Sequence, residues 1–125
     1  MLETEKIGKW FKKRGIFKII PYWICQDLAG FVTANEFPKG KQLCDYGEPS
    51  DSMFCIYEGC IELYDENGEH VQDCHDGELV GNIGIDENDK PLREYKMICQ
   101  KQSRIIILPR EVYWQIMQKF ITSEK

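Results

Sequence analysis

The side chains with most chemistry to offer are two histidines, six cysteines and four serines. A metal-dependent enzyme built on β strands would cluster histidines and a carboxylate on adjoining strands. His70 and His75 stand five residues apart, which puts them on opposite faces of an unbroken strand. Cys74 and Glu78 lie close by, but no metal site is expected. Ser50, Ser52, Ser103 and Ser123 occupy polar turn or terminal contexts, and none forms a Gly-x-Ser-x-Gly nucleophile elbow. The Asp-Glu-Asn segments starting at Asp65 and Asp86 lack the spaced ligands and closing glutamate of a calcium loop. The chain is expected to be non-catalytic, with no cofactor.

Cys25, Cys44, Cys55, Cys60, Cys74 and Cys99 sit in apolar or strand-like contexts, and no Cys-x-x-Cys pair occurs. The start, Met1-Leu2-Glu3-Thr4-Glu5, has neither the basic residues nor the apolar run of a secretory leader. Free thiols in a reducing compartment, the cytoplasm, are the expectation. The formal net charge is -5. Lys6, Lys9, Lys12, Lys13, Arg14 and Lys18 crowd the start, whereas residues 45–89 carry fourteen acids and no lysine or arginine. So acidic a middle argues against nucleic-acid binding. The basic stretch reads as the solvated face of a helix. No run is long enough for a membrane span.

These groups must be positioned by short elements. Ile7, Trp10 and Phe11 give a helix over roughly 4–13, stopped by Gly15. Phe17, Ile19 and Ile20 form an apolar knot before Pro21, and Ile24, Leu28 and Phe31 predict a second helix over about 21–32. From residue 34 to 109 the pattern turns to strands: 36–37, 42–44, 53–57, 60–64, 70–74, 79–80, 95–99 and 105–108. Gly40, Gly47, Gly59 and Gly68 mark the turns between them. Val112, Ile116 and Phe120, flanked by Tyr113 and Met117, make a closing helix. The predicted architecture is a mainly β antiparallel jelly roll or barrel in one domain over 1–125. It has a helical lead-in at 1–33, the roll at 34–109 and a closing helix at 110–125.

The ordered set Phe37-x-x-Gly40-x-x-Leu43-x-x-x-Gly47, Met53-Phe54-Cys55-Ile56-x-x-Gly59-Cys60-Ile61-Glu62-Leu63-Tyr64, Gly77-x-x-x-Gly81, Arg93 and Ile105-Ile106-Ile107-Leu108-Pro109-Arg110 resembles that of cyclic-nucleotide-binding domains. The resemblance implies a loop between two strands that grips a cyclic phosphate, here residues 81–93. It implies a helix start offering backbone N–H groups, a ribose-binding side chain after the glycine, and an arginine on the phosphate. Gly81, Asn82, Ile83, Gly84 and Arg93 take those places. Ile83 and Ile85 are expected to pack the loop on the barrel.

Asn82 stands where the family has glutamate, and Glu94 and Tyr95 stand where it has small residues. The resemblance therefore implies weak or degenerate binding of cAMP or cGMP. Arg93 has a competing reading as a surface arginine paired with Glu94 or a loop acid, and Asn82 as a turn-capping amide. The family's further helix over the base has no counterpart before Lys125, so a lid is expected from elsewhere or the pocket stands open. The expected role is regulatory, with loop order passed to the flanking helices, and adjacent domains or protein partners receive it. A ligand-free interaction scaffold is the alternative, and a cupin-like metal protein a remote one.

Overall fold

The computed structural model describes residues 4–123. Helix α1 (Thr4–Lys12), a 3-10 turn (Gly15–Ile19) and helix α2 (Tyr22–Ala29) precede eight strands, and helix α3 (Arg110–Ser123) follows them. The strands are β1 (Ala34–Phe37), β2 (Gln42–Cys44), β3 (Ser52–Glu58), β4 (Cys60–Tyr64), β5 (His70–His75), β6 (Leu79–Val80), β7 (Lys96–Cys99) and β8 (Ser103–Pro109). They form two antiparallel four-stranded sheets, in the orders β1-β8-β3-β6 and β2-β7-β4-β5. This is the expected jelly roll with helices at both ends. No helix among the described residues is long and apolar enough to cross a membrane.

Side-chain alternation explains the layering. Phe54 and Ile56 of β3 and Ile105 of β8 face the second sheet, meeting Ile61, Leu63, Cys74, Met97 and Cys99. Cys55, Ile106 and Leu108 point the other way, onto the helices, where Phe11, Phe17, Ile24, Leu28, Tyr113 and Ile116 cover them. Strand β8 is thus buried on both faces, which accounts for its unbroken run Ile105-Ile106-Ile107-Leu108. Gly40, Gly47, Gly59 and Gly68 all have positive φ, as their turns require. All six cysteines are buried and free.

Three expectations need correction. Helix α2 ends at Ala29, and Gly30 turns the chain, its N–H reaching the carbonyls of Gln26 and Asp27. Val32 is buried in place of Phe31, which is 63% exposed. The basic stretch is not merely solvated: Lys12 Nζ donates to the carbonyls of Lys18 and Ile20 at 2.7 and 2.6 Å, and Arg14 lies over the Trp10 ring. The third concerns the histidines. Across the β4–β5 ladder Leu63 faces Gln72, but Tyr64 faces His70, so the register shifts and Val71 is the additional residue. That bulge turns His70 onto the same face as Asp73 and His75.

Candidate functional site

Strand β6 pairs Val80 with Phe54 and Leu79 with Cys55, so the chain enters the 81–95 loop from the edge of the first sheet. Gly81 comes first, with φ +112. A Cβ there would lie 2.9 Å from an Arg93 guanidinium nitrogen and 3.2 Å from the Ser52 carbonyl oxygen. Glycine is needed both for the backbone angle and for the space that Arg93 fills.

Arg93 is 4% exposed. Its Nη1 donates to the Ser52 carbonyl at 2.6 Å, and its Nη2 to the Ser52 hydroxyl at 2.8 Å. The guanidinium carbon lies 4.7 Å from the centre of the Phe54 ring. Asp51, itself largely exposed, is a longer partner at 3.5 Å. The surface pairing with Glu94 is therefore not found. Glu94 is exposed and instead receives Asn82 Nδ2 at 3.4 Å. Ser52, Phe54 and Ile56 alternate along one face of β3, so an inward-turned serine at its start is what the guanidinium finds.

Behind this group lies a cavity of about 220 Å³. Leu63, Cys74, Val80 and Met97 line its apolar side, and Glu78, Gly81, Asn82, Arg93 and Glu94 its polar side. Burial pushes the Cys74 thiol up to about 11, with the Glu78 carboxylate adding to the shift. A second hollow of about 320 Å³ opens on the other side of Arg93, against Cys44, Glu48 and Phe54. Burial also raises the Cys44 thiol, while the Arg93 charge opposes that rise.

The loop forms no helix between β6 and β7. Its own side chains take its N–H groups: Gly84 N–H donates to Asn82 Oδ1 at 2.8 Å, and Ile85 N–H to Asp89 Oδ2 at 3.1 Å. The N–H groups of Asn88 and Asp89 donate to Asp86 Oδ1 at 2.8 and 3.0 Å. Asn82 thus caps a turn, as its competing reading held. Ile83 is buried as expected, but Ile85 is 87% exposed and packs on nothing.

Sequence reasoning missed the residues that hold the loop. The Ser50 hydroxyl donates to the Asn82 carbonyl. Arg110, the first residue of α3, donates to the carbonyls of Ile83 at 3.0 Å, Asp86 at 3.1 Å, Glu87 at 2.7 Å and also Asp89. Trp114 Nε1 donates to the Ile83 carbonyl at 3.3 Å. The loop is therefore fastened directly to α3. The inward alternation of Ser52 was a readable signal. Arg110 gave none, because its partners are backbone atoms remote in sequence.

Residues 34–120 match a family described as the cyclic nucleotide-binding domain. No curated protein sequence matches the chain. Solved structures do. The cyclic nucleotide-binding-like protein of Brucella abortus superposes with TM-score 0.77 at 16% identity, covering 90% of this chain and 98% of that one. The sensor domain of the transcriptional regulator DNR of Pseudomonas aeruginosa gives 0.79 at 14%, covering 97% and 83%. The regulatory domain of Toxoplasma gondii PKA, solved with cAMP, gives 0.79 at 17%, covering 97% of this chain and 49% of that one. A regulatory subunit of a cAMP-independent protein kinase A from Trypanosoma brucei gives 0.77 at 18%, covering 96% and 45%.

Proposed function

This chain belongs to the cyclic nucleotide-binding domain family, and on that premise we propose that it is a non-catalytic regulatory domain whose 81–93 loop binds a cAMP- or cGMP-type ligand weakly. Gly81, Asn82, Ile83, Gly84 and Arg93 form the ligand side of the loop. The observation that carries this reading is Arg93, a buried cation held beside Gly81 at the mouth of a cavity between the sheets.

Three features support weakness. The loop N–H groups that would cradle an anion already serve Asn82, Asp86 and Asp89. Glu78 and Glu94 stand in the cavity wall and repel a phosphate. The cavity, at about 220 Å³, is smaller than the roughly 300–1,000 Å³ of ordinary small-molecule pockets. The likeness is to a cAMP complex and to a cAMP-independent subunit alike, so the fold is compatible with either state. An anion that reaches Arg93 must reorganise the loop, and Arg110 and Trp114 convey that change to α3. Adjacent domains or protein partners read the helices, in the cytoplasm. The self-satisfied loop also favours a second reading, a ligand-free scaffold that keeps the fold for docking.

Thermal unfolding with and without millimolar cAMP or cGMP tests this. Each variant is scored against its own ligand-free midpoint. Ligand at its Kd adds about 0.4 kcal/mol, and at 100 times Kd about 2.7 kcal/mol. A shift of a degree or two, absent in Arg93→Ala, is expected. A rise of several degrees at micromolar ligand would overturn the weak reading. No shift at all would leave the scaffold.

A further inference from the structure

The outer face of the β4–β5 hairpin gathers both histidines of the chain around one carboxylate. We propose that Glu62, His70 and Asp73 form a site for a single divalent transition-metal ion of the zinc class. This site is separate from the loop and cavity described above.

The register places the three groups. Glu62 and Asp73 are cross-strand partners, and Tyr64 is opposite His70 because of the bulge at Val71. His70 Nε2 lies 2.6 Å from Asp73 Oδ1. The ligand atoms of Glu62, His70 and Asp73 all lie within 4.8 Å of one another. Zinc bonds to nitrogen and carboxylate oxygen are about 2.0–2.2 Å, so tetrahedral ligands stand about 3.4 Å apart. Small rotations of side chains that reach solvent close that gap; His70 and Asp73 are 47% and 32% exposed.

The donor chemistry fits. One imidazole with two carboxylates is a borderline nitrogen–oxygen set, which suits zinc and its neighbours better than calcium or magnesium. The remaining coordination positions face solvent and would be filled by water. The electrostatics fit as well. No lysine or arginine occurs over residues 45–89. The cation across the ladder, Lys96, lies over the Tyr64 ring at 5.2 Å. No ion pair joins Glu62 to a cation among the described residues. A second triad, Cys60, Asp73 and His75, shares Asp73. Its sulfur belongs to a residue only 1% exposed, which leaves the solvent-facing triad as the one an incoming ion reaches.

The test is a Zn²⁺ titration of untagged protein in competition with a chromophoric chelator. One ion per chain is expected at micromolar concentration. Losing an outer hydrogen-bond partner of a metal ligand costs about 10- to 100-fold in affinity, so losing a ligand should cost at least tenfold. His70→Ala and Glu62→Gln should show that loss, whereas His75→Ala and Cys60→Ser should not. Co²⁺ bound in place of Zn²⁺ should show no thiolate charge-transfer band. Glu62, His70 and His75 reach solvent, so metal-free unfolding midpoints of their variants should match the parent, whereas Cys60→Ser alters a buried residue and is titrated well below its own midpoint; should His70→Ala fail to fold, Glu62→Gln decides. No binding at micromolar Zn²⁺ overturns the proposal. So does loss of binding in Cys60→Ser or His75→Ala with His70→Ala unaffected.

Discussion

Arg93→Ala should destabilise the ligand-free domain by about 3 kcal/mol. The guanidinium makes two hydrogen bonds to Ser52, at 2.6 and 2.8 Å. Hydrogen bonds to a charged group contribute about 1.5–3 kcal/mol each. Its position over Phe54 adds about 0.5–2 kcal/mol. The exposed Asp51 partner adds little, since solvent screens it. Against this stands the desolvation of the charge, several kcal/mol, which the alanine variant recovers. The variant also leaves the buried Ser52 carbonyl and hydroxyl without their donor, beside a hole. The net of about 3 kcal/mol corresponds to roughly 10 °C in Tm for a domain of this size. Urea denaturation without nucleotide measures it. A surface arginine would cost no more than about 0.5 kcal/mol. A loss below about 1 kcal/mol would refute the reasoning, because it would mean that Arg93 spends its time in solvent and not on Ser52.

Arg110→Ala should free the loop from α3. The amides of Gly84, Ile85, Asn88 and Asp89 should exchange hydrogen roughly tenfold faster, equivalent to about 1.4 kcal/mol of lost local protection. Unchanged exchange would show that Asp86 and Asp89 hold the loop unaided. The thiols predict a pH dependence. Cys74 is raised from 9.0 to about 11, and burial also raises Cys25, Cys44, Cys55 and Cys99. The fold keeps these groups protonated while the unfolded chain releases their protons. The contribution of these thiols to stability should therefore be constant below about pH 8 and be lost as pH rises through 9 towards 11, with Cys74 alone accounting for about 3 kcal/mol. Denaturation in reductant across that range checks it, and a flat profile to pH 10.5 would contradict the burial argument.

The fold was legible because its signals are local. Turn glycines and two-residue alternation mark all eight strands to within about two residues. The doubly buried β8 announced itself as an uninterrupted apolar run. The site was legible only in outline. Gly81 and Arg93 do meet, but Arg93's partner is Ser52, forty-one residues away, and no short-range pattern encodes that pairing. The Arg110 clamp is hidden for the same reason, since carbonyl groups carry no residue identity. His70 was misplaced because counting by twos assumes an unbroken strand, and Val71 breaks it.

That one residue has a genetic meaning. Side-chain facing in a strand is a matter of odd or even count, so a three-base deletion at codon 71 would change the count without changing any donor. With the additional residue gone the strand would run unbroken, His70 would stay opposite Tyr64 on the face of Asp73, and the chain would keep every residue type that composition records. Two descendants of this sequence could thus differ by a single in-frame deletion, carry their histidines five and four residues apart, and present the same donors to the solvent. Comparing such sequences requires tracking gaps as carefully as substitutions.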